Sequence, residues 1–369
     1  LDSPPFNKSL MDGYAVISQD VAAGKRFRIR ERITAGEVPN QPIRSGETTQ
    51  IMTGAKLPEG ADAVVRIEDA TEVDSDHVEF GINSIASGRN VMFLGESMRA
   101  GEILFHAGER IQFPHLALLA ENGNSRVSVF RQPEVAILAT GDELVEIDQV
   151  PQDGQIRNSN EAMLTAQCQH LGVKVRPLGI ARDNFQELVE KIQTGLTADF
   201  LLLSGGVSAG VLDLVPRALQ ELGVQQVFHK VEVKPGKPIW FGIRPGSDQA
   251  LPCYVFGLPG NPVSSLVCFE VFVRRAIEKY EGLTWREQGE GLAALKEVYL
   301  AKGDRPVYYP ARIWREQDQW CCRPLRWMGS ADLRGAAMAN GLILFSPREK
   351  PYQLDERVPV ISWFDRPND

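Results

Sequence analysis

The sequence predicts a multidomain protein of α/β and β parts, with a mostly parallel, helix-covered sheet domain, a strand-rich lobe and a C-terminal β domain. Three observations carry that expectation. Between 133 and 280, short apolar runs alternate with helical stretches that stop at glycine, as repeated βα units of a parallel sheet do. From 20 to 103, β-branched residues recur between Gly and Pro turns with no long helical period. Beyond 281 the pattern returns to strands alone.

At 369 residues the chain exceeds one ordinary hydrophobic core, so several domains are expected. Hydrophobic residues at 43% and charged residues at 24% are ordinary for a globular chain. A formal net charge of -8 argues against indiscriminate binding to nucleic acid or anionic membrane. It leaves room for a local cationic pocket. No run is apolar enough over sufficient length to span a bilayer. The opening residues lack the basic region and apolar core of a secretory signal. Five cysteines, with Cys321 and Cys322 adjacent, show neither zinc spacing nor a disulfide framework. A reducing cytoplasm is the expected setting.

In chain order, Arg28-Ile29-Arg30, Ala63-Val64-Val65-Arg66-Ile67 and His77-Val78-Glu79-Phe80 read as strands of the lobe at 20–103. A short helix is expected over Pro114 to Glu121, with Gly123 beyond its end. Val135-Ala136-Ile137-Leu138-Ala139 is a near-continuous apolar run, as a strand buried on both faces requires. A helix over Glu161 to Leu171 is expected to be capped by Asn160 and stopped at Gly172. Further strands are expected at 173–175, 200–203, 227–233, 239–241 and 254–256, and helices at 185–194 and 214–222. After 281, strands are expected at 308–314, 320–325 and 342–345.

The loop Ser204-Gly205-Gly206-Val207-Ser208-Ala209-Gly210 follows a buried strand. Paired glycines let backbone N–H groups approach an anion closely, and Ser204 and Ser208 can add hydroxyl donors. Asp213 precedes the next helix, where it can cap the first turn or meet a metal or substrate. A second loop, Gly257-Leu258-Pro259-Gly260-Asn261-Pro262-Val263-Ser264-Ser265, opens another helix. Asn261 can cap it, and Pro262 suits the first helical position. The exposed first-turn amides could hold a phosphate, or the loop could be a structural cap. Between the two loops lies Lys230-Val231-Glu232-Val233-Lys234-Pro235-Gly236-Lys237-Pro238. Lys230 and Lys234 are four apart on an expected strand and would share a face. Lys234 and Lys237 flank a Pro-Gly turn, and serve either as solvated surface lysines or as phosphate or oxyanion ligands.

Carboxylates recur at the other strand ends, in Thr140-Gly141-Asp142-Glu143 and Arg182-Asp183. With Asp213 they could hold a divalent cation, or each could cap or balance charge. Ser9-Leu10-Met11-Asp12-Gly13-Tyr14-Ala15 and the segment 52–62 suit sharp turns.

Together these segments resemble the MoeA/gephyrin E-domain family of molybdopterin molybdotransferases. The resemblance covers nearly the whole chain. It rests on Pro4-Pro5-Phe6 through Met11-Asp12-Gly13-Tyr14-Ala15, Thr53-Gly54 through Gly60-Ala61-Asp62-Ala63-Val64-Val65, and Thr140-Gly141-Asp142-Glu143-Leu144. Ser204-Gly205-Gly206-Val207-Ser208, Lys234-Pro235-Gly236-Lys237-Pro238 and Gly257 through Ser264 complete it. The family's helical segment before the first motif is expected to be absent or truncated.

The resemblance implies a linking and dimerisation domain at 1–19 and 104–132, the lobe at 20–103, a molybdopterin-binding domain at 133–280 and a β domain at 281–369. It implies an elongated homodimer with a composite site, Asp12 coming from the partner subunit. The implied substrates are adenylylated molybdopterin and molybdate, with Mg²⁺ assisting and AMP released. An enzyme that adenylylates molybdopterin would then act upstream. Glu143, Asp183 and Asp213 would surround substrate and cation, and Lys230 and Lys234 would attract molybdate. Ser204, Gly205, Gly206, Ser208, Lys237, Gly260, Asn261 and Ser264 would hold the pterin. The chain departs from the family pattern at Ser97, where a carboxylate is usual, at Met92, where a basic residue is usual, and at Asn158, where aspartate is usual. Those departures define an alternative: a weakly active or non-catalytic molybdopterin-binding paralogue serving as carrier or scaffold.

Overall fold

The structure, a computed structural model, describes residues 1–206, 214–247, 251–283 and 290–363. They fall into two compact units, Leu1–His106 with Ile111–Ser125, and Ala107–Arg110 with Arg126–Asp369.

In the first unit, β1 (Lys8–Ser9) pairs with β8 (Val91–Met92). Strands β2 (Gly13–Val16), β3 (Arg26–Ile33), β4 (Glu47–Ile51), β5 (Ala63–Arg66), β6 (Ala70–Glu72) and β7 (His77–Phe80) form a six-stranded sheet in the order β5-β2-β4-β3-β7-β6. β2 lies inside this sheet and is buried along its whole length. A Cβ on Gly13 would stand 1.9 Å from the Val65 carbonyl oxygen, so the β2–β5 approach admits only glycine there. Phe80 packs in tilted contact with Phe27 and Tyr14, with ring centroids 4.9 and 5.8 Å away, in the lobe's core. Helix α1 (Phe113–Glu121) buries none of its residues within this unit, and Phe113 is 85% exposed.

The second unit holds the expected parallel sheet. Its first strand is β9 (Glu134–Thr140), followed by a small parallel pair, β10 (Leu144–Val145) and β11 (Ile156–Arg157). Then come α2 (Ser159–His170), β12 (Lys174–Ala181), α3 (Phe185–Gly195), β13 (Phe200–Ser204) and α4 (Leu214–Glu221). β14 (Gln225–His229), β15 (Trp240–Arg244) and β16 (Cys253–Leu258) complete a sheet ordered β12-β9-β13-β16-β15-β14. The first four of these are parallel, while β15 and β14 add an antiparallel edge.

The apolar runs work by the period of a strand. Ala136, Leu138, Leu201 and Leu203 face one way and join Leu188, Ile192, Val215 and Leu219 of α3 and α4 in one core. Val135, Ile137, Phe200 and Leu202 face the other way and join Leu164 and Cys168 of α2 with Phe269 and Ile277. The latter two belong to a continuous helical rod of α5 (Pro262–Cys268), a π turn at Phe269–Val273 and α6 (Arg274–Tyr280). Because β9 and β13 are sealed on both sides, a polar residue at any of these positions would lie buried without a partner.

The structure departs from the sequence expectation at two points. The cap of α2 is Asn158, whose side chain accepts the Glu161 amide, while Asn160 lies inside the first turn. β14 ends at His229, and Lys230 turns through a left-handed φ of 71°, so Lys230 and Lys234 do not share a strand face.

The C-terminal strands β17 (Glu290–Leu295), β18 (Val307–Glu316), β19 (Gln319–Pro324), β20 (Gly341–Phe345) and β21 (Arg357–Ser362) close into a barrel ordered β17-β19-β18-β20-β21. A short helix α7 (Leu333–Ala337) lies between β19 and β20. Leu295, Ile313, Cys322, Ile343, Phe345 and Val360 fill the barrel's core. A second apolar cluster joins Val263, Leu266 and Val267 of α5 to Ala336, Leu342 and Ile361, so the barrel and the α/β layer share packing. Among the described residues no helix is long and apolar enough to cross a membrane.

Candidate functional site

β13 and β16 are parallel neighbours with Ser204 opposite Leu258, so the loops leaving their C-terminal ends emerge side by side. Gly205 has φ 97°, and a Cβ there would lie 2.5 Å from the Thr140 carbonyl oxygen. Gly206 has φ 64°, and its Cβ would strike Val215 at 2.6 Å. Backbone hand and close approach therefore both require glycine at this pair. The Gly205 amide donates to the Leu258 carbonyl at 3.1 Å. A Cβ on Gly260 would sit in ordinary contact with Gly205 at 3.8 Å. The two glycine loops are one structure. Ser208 and Asp213, named from the sequence, lie outside the described residues.

Asn160 ties this junction from α2. Its Nδ2 stands 2.8 Å from the Ser204 hydroxyl oxygen and 2.8 Å from the Gly260 carbonyl. From the sequence Asn160 reads as a cap, and the signal for this role is an asparagine two residues beyond a sufficient cap.

The second loop continues into the helical rod. Asn261 occupies the N-cap position but makes no side-chain cap bond. Its Nδ2 instead donates to the Ser330 hydroxyl at 3.1 Å, and the Val263 amide donates to the Ser330 carbonyl at 3.0 Å. The anticipated anion-binding amides are thus partly engaged by the segment before α7. Ser264 is buried one turn in.

The Lys234-Pro235-Gly236-Lys237-Pro238 turn, with a cis Lys234–Pro235 bond, is sewn to the barrel. The Lys234 amide donates to the Pro306 carbonyl at 2.9 Å, and the Tyr308 amide donates to the Lys234 carbonyl at 2.8 Å. That seam opens a cleft of about 600 Å³ whose lining includes Lys234, Lys237, Asn261 and Ser264. The barrel side adds Lys302, Arg305 and Ser330, none of which the sequence reading named. Lys302-Gly303-Asp304-Arg305-Pro306 brackets cations with Gly and Pro much as the first turn does, which was the available signal. Among the described residues of this lining Asp304 is the single acid against four cations, and it lies 3.3 Å from Arg305. Lys237 also faces Glu232 at 3.7 Å across exposed surface. Lys230 is exposed and is not part of the lining. The cleft can therefore take a compact oxyanion, with hydroxyl and amide donors beside the positive charge.

The expected carboxylates are arranged differently. The exposed Glu143 carboxylate folds back over Gly141, where an added Cβ would meet its Oε2 at 2.3 Å. Asp183 is exposed, and its amide donates to Asp142 Oδ1 at 3.0 Å. Arg182 clamps the same loop by donating to the carbonyls of Leu144 and Asp142 at 2.8 and 3.1 Å. Among the described residues, no three acids, histidines or cysteines converge as a metal site. The described carboxylates do not by themselves fit a divalent cation.

In the first unit, Asp12 accepts from the Thr53 amide and hydroxyl, and those bonds hold its carboxyl below the ordinary 3.8. The Ser97 amide donates to the Ser3 carbonyl, and the Glu96 carboxylate accepts the Phe93 amide at 2.7 Å. Glu96 is thus committed to its own turn. Met92 pairs with Lys8 in the β1–β8 ribbon.

Residues 1–123 match the MoeA N-terminal region (domain I and II), and residues 136–279 match the probable molybdopterin binding domain. The chain is 36% identical over 288 residues to a molybdopterin molybdenumtransferase of Staphylococcus epidermidis, covering 76% of this chain and 67% of that protein. A Staphylococcus aureus protein of the same name is 34% identical over 284 residues, covering 75% and 66%. The crystal structure of a molybdopterin biosynthesis MoeA protein from Pyrococcus horikosii superimposes with a TM-score of 0.80 at 30% identity, covering 99% of this chain and 89% of that one. Its motifs, its barrel-flanked parallel sheet and these matches agree, and the chain belongs to the MoeA family of molybdopterin molybdenumtransferases.

Proposed function

We propose that the chain transfers molybdenum to molybdopterin, using adenylylated molybdopterin and molybdate and releasing AMP. One observation carries this reading: a single loop serves both halves of the task. Asn160 ties the Gly260 carbonyl to Ser204 at the glycine junction, and Asn261 and Ser264 line the cationic cleft. A pterin phosphate at the junction and a molybdate in the cleft would be held by the two ends of one rigid turn. Such positioning turns an encounter of two anions into a local event.

In this reading Ser204, Gly205, Gly206 and Gly260 take the phosphate of the pterin. Lys234, Lys237, Lys302 and Arg305 take the tetrahedral oxyanion and offset its repulsion from the nucleotide. Glu143, with Asp183, stands beside the substrate, its loop held by Arg182. Mg²⁺ is the family's expected cation, and its charge would screen the nucleotide phosphates. The described acids form no ligand set for it. A homodimer belongs to the same proposal, with Asp12 reaching a partner's site and the exposed Phe113 and Leu116 of α1 supplying apolar contact area. An adenylylating enzyme would act upstream, in the reducing cytoplasm suited to five free thiols.

The test is AMP release from adenylylated molybdopterin as a function of molybdate, with Mg²⁺ present and the folded protein checked by its melting curve. Turnover should depend on both substrates. Release no greater than that of Glu143→Ala would sink the proposal. A second reading, a binder without turnover, is favoured by Ser97 and by the unconverged carboxylates. It predicts tight pterin binding with no AMP release, and turnover gained by Ser97→Asp.

A further inference from the structure

We infer that Asn160 is a positioning residue, whose amide sets the hydrogen-bond direction of Ser204 and holds the Ser204–Gly206 and Gly257–Gly260 loops as one phosphate-facing surface. The inference rests on the reading that these loops receive the anionic pterin.

The Gly260 carbonyl can only accept a hydrogen bond, so the Asn160 atom 2.8 Å from it is the nitrogen, and the orientation of the amide follows. The same nitrogen lies 2.8 Å from Ser204 Oγ, so that hydroxyl accepts and its own hydrogen must point elsewhere. Ser204 is only 3% exposed, and among the described residues no acceptor receives that hydrogen. A buried donor in this state is completed by a ligand that only accepts, as a phosphate ester oxygen does. Asn160 Oδ1 is buried without a partner, so both side-chain hydrogen bonds of this amide run from its nitrogen. Asn158 caps α2, and this leaves Asn160 free for the junction.

Asn160→Asp is nearly isosteric but has no donor. Ser204 would then give its hydrogen to the carboxylate, and the Gly260 carbonyl would face negative charge. Asn160→Ala removes the tie without reversing it. A space-filling role would make alanine the worse variant; a polarity-setting role makes aspartate worse. By fluorescence titration with molybdopterin, the dissociation constant should rise about tenfold for Asn160→Ala and about a hundredfold for Asn160→Asp. Ser204→Ala should weaken binding in the wild type and add nothing to Asn160→Asp. A ligand-free measurement accompanies it: amide hydrogen exchange at Gly205 and across 257–260 should quicken together, about tenfold, in both variants. Binding by Asn160→Asp within about twofold of wild type, or exchange unchanged in either loop, would overturn the inference. Should the wild type fail to bind molybdopterin, the functional reading falls, and exchange still decides whether Asn160 ties the loops.

Discussion

Asp12 Oδ1 accepts both the amide and the hydroxyl of Thr53, at 2.6 and 2.7 Å. Two motifs forty-one residues apart in sequence are thereby one turn, and the Gly54 amide closes it by donating to the Ser9 carbonyl at 2.8 Å. The carboxylate is aimed by its neighbour and kept ionised by it.

Removing one donor should therefore be visible at Asp12 itself. In Thr53→Val the hydroxyl is lost and the amide stays, so the Asp12 carboxyl titration should move up toward 3.8, read by carbon NMR. A group held below its ordinary value stabilises the fold fully above that value and loses the contribution as pH falls through the folded one. An unchanged Asp12 titration would show that the hydroxyl bond does not hold the carboxylate.

Molybdate dependence separates the cleft from its surroundings. Arg305→Ala and Lys302→Ala should each raise the molybdate KM about tenfold, as loss of one charge-assisted contact does, with little change in pterin affinity. Lys234→Ala should do at least as much. Lys230→Ala should do less, because Lys230 lies off the lining. AMP release across a molybdate titration measures all four. Equal effects of Lys230→Ala and Arg305→Ala would remove the cleft from the reaction.

Asp199 anchors the start of the α/β layer. It is 5% exposed and accepts from the Arg131 guanidinium at 2.9 Å, the Tyr280 hydroxyl at 2.8 Å and the Glu134 amide at 2.9 Å. Burial pushes its carboxyl up, yet these hydrogen bonds and the Arg131 charge together outweigh burial and hold it below 3.8. Asp199→Asn should cost about 2 kcal/mol at neutral pH by urea unfolding. Arg131 is half exposed, so Arg131→Ala should cost less, about 1 kcal/mol. The wild type should lose this stability as pH falls below 3.8, and the asparagine variant should show a flatter acid limb.

The five cysteines are free and buried. Burial pushes the Cys168, Cys253 and Cys322 thiols up to about 12, raises Cys268 further and raises Cys321 as well. Since the thiolate is the reactive form, the native protein should resist a thiol reagent at mildly alkaline pH, and five equivalents should appear in denaturant. Stoichiometric labelling of the native chain would contradict this packing.

Much of the α/β layer was legible because a strand buried on both faces is apolar along its run, as β9 is from Val135 to Ala139 and β13 from Phe200 to Leu203. The helix cap was misread for a local reason. Asn158 and Asn160 both precede Glu161 closely and both have a capping side chain, and the approach of the chain from β11 decides between them. Lys230 and Lys234 looked like neighbours on a strand; the left-handed turn at Lys230 breaks the period.

The sequence by itself determined the order of strands and helices along the α/β layer, the paired glycines after β13, and the family to which they belong. Those properties follow from local sterics and from burial periodicity, which each short segment carries alone. Only the tertiary structure decided that Lys302, Arg305 and Ser330 face Lys234 and Ser264, and that Asn160 joins Ser204 to Gly260. A solvated lysine and a cleft lysine have the same sequence neighbours. They differ in which distant backbone docks against them, here the pairing of Lys234 with the Pro306–Tyr308 segment.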